Sequence, residues 1–309
     1  MQKPISACLL VYNHAHLISS TIESILNQTH KNYELIISDD NSSDNSFEII
    51  KGYASKHPQI IPIQTPRNLG MAGNTNFAVA RASNDYIALL HHDDLLRNDA
   101  FAKWIDVIEK SKNIAFVFND YSINGIAQHI IEKKFFHSNM EGRKFLKRQL
   151  LKSWGCPVRG TTLFKKDYFL RLKGMNLDFG MLADIDLWMR FSANWDVGYV
   201  NEPLIEIRQE RPENYPKAYT DFSWERKFIL FNIYSSNINR DNYPNYFKFI
   251  VKRLVFRNRV SIEIIKWHLY ALLKNKNEIL VNYPSNNIYE LFYSRICRYI
   301  IGKFFIKGK

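Results

Sequence analysis

Short apolar runs alternate with amphipathic stretches along the first 120 residues of the chain. The runs have the length of buried strands, and in the stretches apolar residues recur at three- and four-residue spacing, as on one face of a helix. The predicted strands cover residues 5–11, 34–38, 60–64, 86–90 and 114–118. The predicted helices begin near residues 17, 47, 71 and 98. This alternation predicts an α/β fold with a mostly parallel sheet and helices on both of its faces.

Two pairs of acidic residues directly follow predicted strands. Asp39 and Asp40 end the second strand, and Asp93 and Asp94 follow the fourth. Because ligands of such sheets lie at the carboxyl ends of the strands, both pairs are expected at the same rim. A single pair would be explained as a helix cap or a solvated turn. Two pairs at one rim favour a binding site instead.

Charge divides the chain at about residue 220. The 309 residues carry 42 Lys and Arg against 30 Asp and Glu, a net charge of +12. Residues 221–309 hold 16 of the basic and 6 of the acidic residues, so +10 of the charge lies there. Apolar residues make up 46% of the chain, which excludes a disordered protein. We predict a globular domain over 1–220 and a basic helical segment over 221–309.

Missing motifs exclude several classes of protein. No G-x-G-x-x-G follows the first strand and no G-x-x-x-x-G-K-[ST] occurs, which argues against dinucleotide folds and P-loop NTPases. Cys8, Cys156 and Cys297 lack the spacing of a disulfide framework or zinc site and indicate a reducing compartment. No run of 18 uncharged apolar residues predicts a membrane span. A cytoplasmic protein is therefore expected.

Five segments within the first 94 residues carry a family resemblance. They are LVYN at 10–13, ILNQT at 25–29, YELIISDDNSSD at 33–44, PRNLGMAGN at 66–74 and DYIALLHHDD at 85–94. In this order they resemble family 2 glycosyltransferases with the GT-A fold, a Rossmann-like fold of nucleotide-diphospho-sugar transferases. The resemblance implies transfer of a sugar from a nucleotide-diphosphate donor to an acceptor hydroxyl. It implies donor binding by residues 1–118 and an acceptor side at 119–220.

The same resemblance implies which residues bind the donor. A uracil ring offers its N3–H to a carboxylate, and by position Asp40 takes this role with Asp39 close by. Gly70 would allow close approach of the backbone. The other residues assigned to nucleotide binding are Val11, Tyr12, Asn13, Arg67, Asn68, Asn74 and His92. The alternatives are a solvated loop position for Arg67 and a local cap for Asn74.

The segment that ends at Asp94 aligns with the D-x-D metal motif of this family. Mg²⁺ or Mn²⁺ prefers oxygen ligands and would neutralise the leaving pyrophosphate, so Asp93, the last acid of the motif, is the implied metal ligand. His91 stands where the first acid is expected. It either binds Mn²⁺ or a phosphate as a neutral imidazole or packs at the strand end, and both remain open. Asp94 is expected to shape the turn, and His14 and His16 to lie at the surface.

The acceptor side contains the sequence LADIDLWMR, which resembles the E-D-x-D-L-W-x-R segment of the family. Asp184 aligns with the catalytic base of inverting members, which takes the acceptor proton on the face opposite the leaving nucleotide. Asp186 is expected to support the helix start or to pair with Arg190. Trp154 is a candidate for stacking on a sugar, with a core position as the alternative. Arg208 is expected to reach the diphosphate or to form a surface ion pair.

Residues 221–309 interleave aromatic and basic side chains in a helical pattern. One hypothesis is docking of this segment on an anionic membrane surface, which would place the enzyme on the inner face of the membrane near a glycan or glycolipid acceptor. The alternative is a helical bundle with a solvated basic face. Nucleic-acid binding would rest on this charge alone, without an RNA-binding motif, and is not predicted.

Two other functions stay open on the sequence alone. A sugar nucleotidyltransferase would need a Gly-rich, basic loop after the first strand, and Tyr12, Asn13 and His14 do not supply one. A non-catalytic protein that binds a nucleotide sugar or a glycan, with a degenerate metal site, is suggested by His91.

Overall fold

The computed structural model describes residues 2–123, 125–128, 136–146 and 156–208, all within one compact unit, Met1–Tyr215. The helices are α1 (Ala15–Leu26), α2 (Ser46–Ala54), α3 (Gly70–Arg81), α4 (Ala100–Ile108), α5 (Gly142–Phe145), α6 (Lys166–Arg171) and α7 (Ala183–Asn194). A 3-10 helix, Leu177–Leu182, leads into α7. The strands are β1 (Ile5–Val11), β2 (Tyr33–Asp39), β3 (Ile60–Gln64), β4 (Tyr86–His91), β5 (Asp94–Leu96), β6 (Ile114–Ile123), β7 (Ile126–Gln128), β8 (Thr162–Lys165) and β9 (Asp196–Ile207).

Some of the sequence predictions concern residues outside the described ranges. Trp154 and the segment 221–309 belong to ranges that the structure does not describe. The sugar-stacking role of Trp154, the domain division at residue 220 and the helical character of the basic segment therefore stay predictions. Among the helices of the described ranges, none has the length and apolar character needed to cross a lipid bilayer.

The described strands form one sheet in the order β3-β2-β1-β4-β8-β6-β9-β5, with β7 paired to β6. β1, β2, β3 and β4 run parallel, and β6 and β9 are parallel to each other. Since β8 is antiparallel to both β4 and β6, these two groups point in the same direction. The sheet is thus mostly parallel, as the sequence predicts, with β5, β7 and β8 reversed.

The parallel strands are apolar along their length because both faces of the sheet are covered. All residues of β1 are buried, and so are the last five of β2. The chain passes from β1 through β2 to β3 in one direction across the sheet, whereas the step from β3 to β4 returns past both strands. Since such crossovers follow a right-handed rule, the reversal is expected to place α3 on the face opposite α1 and α2. α3 packs against β1 and β2.

The second half of the described chain is built around α7. Trp188 is fully buried against Phe116, with ring centroids 5.0 Å apart. Asp186 and Arg190 form a buried pair, with Arg190 Nε 2.7 Å from Asp186 Oδ2. The structure therefore shows the predicted pairing of Asp186 within the helix.

Candidate functional site

The loops after β1, β2 and β4 leave the sheet at one edge. The register sets Val11 beside Asp39, and Leu10 beside both Ser38 and His91. The chain runs from β1 to β2 on one side and returns to β4 on the other, so the sheet order reverses between β1 and β4. In open α/β sheets the ligand crevice lies at such a reversal, outside the carboxyl ends of the strands.

The turn after β1 is tied to the loop after β2. Asn13 has a φ of 52°, a left-handed conformation that Asn adopts more readily than most residues. Its N–H donates to Ser42 Oγ at 2.9 Å, and its Oδ1 accepts from the Ser43 N–H at 2.8 Å. Tyr12 beside it is 41% exposed and presents its ring to solvent. Asn13 thus has a structural task besides the predicted nucleotide contact.

Asp39 and Asp40 are both buried and accept hydrogen bonds from neighbouring loops. Asp39 Oδ2 accepts from Gln64 Nε2 at 2.9 Å. Asp40 Oδ1 accepts from the Leu69 N–H at 2.8 Å and from the Thr65 hydroxyl at 2.9 Å. Burial raises the pKa of Asp40 above its ordinary value, although these donors oppose the shift. Asp40 therefore also fixes the loop before α3, a task that the sequence did not indicate.

The segment before α3 contains exposed and buried candidates. Arg67 and Asn68 are exposed, and Gly70 has a φ of 71°, which favours glycine. Asn74 differs, because its Oδ1 accepts from Ser38 Oγ at 2.5 Å and its Nδ2 donates to the Ser38 carbonyl at 3.0 Å. Both polar atoms of this buried amide are used inside the core. The nucleotide-facing role predicted for Asn74 is thus corrected to a link between α3 and β2.

His91 ends β4 with its ring against the backbone of Gly160. Its Nε2 is buried and has no hydrogen-bond partner among the residues that the structure describes. Burial lowers the pKa of His91, while the nearby Asp93 carboxylate opposes the shift. The imidazole is therefore neutral at pH 7, which is the form of a histidine ring that can bind a metal ion.

We expect Gly160→Ala to destabilise the protein by about 1–3 kcal/mol, because the new methyl group would overlap His91 Nε2 and displace the ring. Equilibrium unfolding in urea measures this change. The matched control is Gly52→Ala, in the exposed part of α2, where an added Cβ meets nothing within 4 Å. Alanine should stabilise the protein there by roughly 0.5–1 kcal/mol. Unchanged stability of Gly160→Ala would contradict the close approach to His91.

His92 is fixed from three sides. Its Nδ1 donates to the Leu10 carbonyl at 3.0 Å, and its own carbonyl accepts from the Thr21 hydroxyl at 2.7 Å. Its ring lies against that of His14, with centroids 3.6 Å apart. Burial lowers the pKa of His92 to about 4. The surface position expected for His14 is wrong, since His14 is buried in this stack, whereas His16 is exposed.

Asp93 and Asp94 have different surroundings. Asp93 is half-buried in the loop after β4. Asp94 is buried, pairs with Ile207 of β9 and accepts a hydrogen bond from the Thr161 hydroxyl. Burial raises the pKa of Asp94 to about 8, and the neighbouring Asp93 carboxylate adds to the shift. Asp94 thus links the start of β5 to Thr161 and β9, and Asp93 is the more accessible acid of the pair.

The side chain of Arg208 is directed at the protein. Nε donates to the Asp93 carbonyl at 3.0 Å, and Nη2 donates to the His92 carbonyl at 3.1 Å. Nη2 also donates to the Thr21 hydroxyl and Nη1 to the Ser20 hydroxyl, each at 2.5 Å. These donors fasten the loop after β4 to α1, and the predicted reach of Arg208 to the diphosphate stays a prediction.

Asp184 lies half-buried in the first turn of α7, where its Oδ1 accepts from the Ile185 N–H at 2.7 Å. After burial, the Asp184 carboxylate is a further cause that raises the pKa of the Cys156 thiol, so the two groups are near neighbours. Cys156 lies only four positions before Gly160, which contacts His91. A chain of that length spans at most about 14 Å, so the segment 156–160 connects Asp184 to the loop after β4.

A comparison with models of protein families decides which family the chain belongs to. Residues 6–172, more than half of the chain, match the model of the family described as Glycosyl transferase family 2. The chain belongs to glycosyltransferase family 2. It is a transferase enzyme, and its membership of a family of glycosyltransferases sets aside the two alternatives of a sugar nucleotidyltransferase and a non-catalytic binding protein.

Two curated relatives show how far the similarity of this glycosyltransferase extends. It is 29% identical over 227 residues to the putative glycosyltransferase EpsE of Bacillus subtilis, across 70% of this chain and 77% of the relative. It is 30% identical over 197 residues to WfgD of Escherichia coli, a UDP-Glc:alpha-D-GlcNAc-diphosphoundecaprenol beta-1,3-glucosyltransferase, across 64% of this chain and 73% of the relative.

Solved structures confirm the predicted GT-A-like fold of the glycosyltransferase. TarS 1–349 of S. aureus, in complex with UDP-GlcNAc, matches with a TM-score of 0.62 at 17% identity, across 77% of this chain and 67% of that chain. The mannosyltransferase PcManGT of Pyrobaculum calidifontis, in complex with GDP-Man and Mn²⁺, matches with a TM-score of 0.57 at 17% identity, across 98% and 76%. At such identities the likeness shows the fold alone.

The described part of the glycosyltransferase fits a divalent metal ion that is shared with the donor. No group of three or more His, Cys, Asp and Glu side chains that could hold an ion occurs within it. Asp93 offers a carboxylate, and His91 offers a buried nitrogen that lacks a partner in the described ranges. Mg²⁺ commonly takes one or two protein carboxylates together with substrate phosphates. The residues present suit such a site, with the diphosphate supplying further ligands.

Proposed function

We propose that this glycosyltransferase moves a sugar from a UDP-sugar to a hydroxyl group of a growing surface glycan or a lipid-linked saccharide, with inversion at the anomeric carbon. The observation that carries the proposal is the meeting of two acidic loops, after β2 and β4, at the edge where the sheet order reverses. A nucleotide-diphosphate donor needs acceptors for its base and a cationic centre at its diphosphate in one crevice.

The base of the donor would lie against the loops after β1 and β2. Tyr12 offers an exposed ring for stacking, and Asp39 and Asp40 offer carboxylates for the uracil N3–H. A carboxylate has about four acceptor positions, so Asp40 can hold its own loop and still accept from a base. The donor in the name of WfgD and the ligand of TarS both support a uridine nucleotide. The ligand of PcManGT keeps a guanosine nucleotide as the alternative.

Asp93 and His91 would hold a Mg²⁺ or Mn²⁺ ion against the diphosphate, and Mn²⁺ in the PcManGT structure supports this choice. When bound, the ion neutralises the charge that develops on the departing UDP. Burial raises the pKa of the neighbouring Asp94 to about 8, so a proton on Asp94 would reduce the repulsion between the two acids. Arg67, which is exposed before α3, is a candidate for a phosphate contact.

Asp184 would remove the proton from the acceptor hydroxyl. As the hydroxyl oxygen forms its bond to the anomeric carbon, its proton passes to the Asp184 carboxylate, and the bond to the UDP oxygen breaks on the opposite face of the sugar. Attack from the face opposite the leaving group inverts the configuration. The half-buried position of Asp184 at the start of α7 supports this role, because a helix N-terminus stabilises a carboxylate.

The acceptor is proposed to be linked to a membrane lipid. WfgD is named for an acceptor that carries diphosphoundecaprenol. The +10 charge of residues 221–309 would hold the enzyme on the anionic cytoplasmic face of the membrane.

The full-length protein is expected to co-sediment with phosphatidylglycerol vesicles but not with phosphatidylcholine vesicles, and about 0.5 M salt should release it. Equal sedimentation with both kinds of vesicle would contradict electrostatic attachment.

A donor panel tests the proposed function. Full-length protein is incubated with Mn²⁺, a diphosphoundecaprenol-linked saccharide and UDP-, GDP- or dTDP-sugars, and release of the nucleoside diphosphate is measured. We expect acceptor-dependent release of UDP from one UDP-sugar and a product of inverted configuration by NMR. Release from a GDP-sugar alone would replace the uridine donor. A product of retained configuration would remove the proposed base, and no release from any donor would contradict the proposal.

A further inference from the structure

Arg208 connects the end of β9 to the loop that carries Asp93. We propose that Arg208 is a positioning residue, which holds the main chain of His92 and Asp93 so that the Asp93 carboxylate keeps a fixed direction toward the donor diphosphate. The inference rests on the proposed role of Asp93 as a metal ligand. It assigns to Arg208 a contact with the protein in place of a contact with the donor.

Three hydrogen bonds join Arg208 to two consecutive carbonyl groups. The Arg208 N–H donates to the Asp93 carbonyl at 3.2 Å, and its Nε donates to the same oxygen at 3.0 Å. Nη2 donates to the His92 carbonyl at 3.1 Å. The planar guanidinium presents its donors in a rigid fork, so a side chain held at several atoms fixes the peptide between His92 and Asp93 in one orientation.

The other side of the same guanidinium is anchored to α1. Nη1 donates to the Ser20 hydroxyl at 2.5 Å, and Nη2 donates to the Thr21 hydroxyl at 2.5 Å. Thr21 in turn donates to the His92 carbonyl at 2.7 Å. α1 is a firm support, because Ile18 and Ile22 are fully buried in the core. Arg208 is therefore a bridge between a rigid helix and the loop after β4.

The direction of the Asp93 carboxylate depends on this bridge. The residues on both sides are held by their own side chains, His92 by the Leu10 carbonyl and Asp94 by the Thr161 hydroxyl. For Asp93, by contrast, the hydrogen bonds within the described residues are all accepted by its main-chain carbonyl oxygen, and the donor is Arg208. Its carboxylate is thus oriented through the main chain. Outer-shell partners of metal ligands commonly contribute about 10- to 100-fold in metal affinity.

Three variants of the full-length protein test the inference, with two readouts that need no acceptor. Arg208→Met removes all donors of the side chain, and Arg208→Lys keeps the charge but not the fork. The matched control is Arg97→Met, since Arg97 also joins β5 to β9, through Glu202 at 2.6 Å, without touching the loop. The readouts are hydrogen–deuterium exchange of the peptide over 90–96 in the absence of ligand, and binding of Mn²⁺ in the presence of UDP by electron paramagnetic resonance.

We expect faster exchange at residues 91–94 and a Mn²⁺–UDP affinity about 10- to 100-fold weaker in both Arg208 variants, and neither change in Arg97→Met. Full Mn²⁺–UDP binding by Arg208→Lys would overturn the inference, because charge alone would then suffice, as in a direct contact with the diphosphate. Faster exchange spread equally over β5 and β9 would also overturn it. If the wild type binds no Mn²⁺–UDP, the proposed function fails, while the exchange readout still decides the role of Arg208.

Discussion

Asp93→Asn is expected to lower kcat by roughly 10³-fold and to leave the fold intact. The amide removes the negative charge that would hold a metal ion against the diphosphate. Stabilisation of a transition state by such an ion amounts to several kcal/mol, and each 1.36 kcal/mol corresponds to a factor of ten in rate. The hydrogen bonds that Asp93 accepts from Arg208 use its main-chain carbonyl, which the substitution keeps. The thermal unfolding curve should therefore match that of the wild type.

The measurement is the initial rate of UDP release during a titration with Mn²⁺. Asp85→Asn serves as the control, because Asp85 precedes the first residue of β4 and thus lies roughly 20 Å from the loop that follows this strand. It should keep its activity within about twofold. A loss smaller than about tenfold for Asp93→Asn at saturating Mn²⁺ would show that another group holds the metal ion, or that the chemistry needs none.

The edge of the sheet at which we propose the donor site could be predicted from the sequence. β1, β2 and β4 are continuous apolar runs because both sheet faces are covered, and the acids stand where these runs end. Position after a strand was sufficient to bring the two acidic pairs to one rim. Which acid of the second pair stays accessible was not predictable, because this depends on burial in the tertiary structure. Asp94 is buried and accepts a hydrogen bond from Thr161, whereas Asp93 remains accessible.

Roles that depend on distant partners could not be predicted. The family resemblance implies a nucleotide contact for Asn74, but its partner Ser38 lies 36 residues away in the chain. Arg208 was assigned to the diphosphate for its charge, although its partners on α1 lie more than 180 residues earlier. A pattern of residue types shows which atoms can form hydrogen bonds, and only the tertiary structure shows which of them are already used.

Asp184→Asn is expected to lower kcat by about 10²- to 10⁴-fold, the usual contribution of a positioned general base. An amide cannot take the acceptor proton, yet its oxygen can still accept the hydrogen bond from the Ile185 N–H. The start of α7 should therefore stay folded. Donor binding should also be unchanged, because the role proposed for Asp184 concerns the acceptor. A loss of turnover with intact Mn²⁺–UDP binding would separate this variant from Asp93→Asn, which should lose both.

The pH dependence of the reaction distinguishes a lost base from a distorted acceptor site. In the wild type, kcat/KM should fall at acid pH as the base becomes protonated, and this limb should disappear in Asp184→Asn. Asp178→Asn is the matched control, since Asp178 is an exposed acid of the 3-10 helix before α7, and it should keep both rate and limb. If Asp184→Asn retains the acid limb and more than about a tenth of the rate, another group removes the proton. The half-buried carboxylate at the start of α7 would then be a part of the helix N-terminus alone.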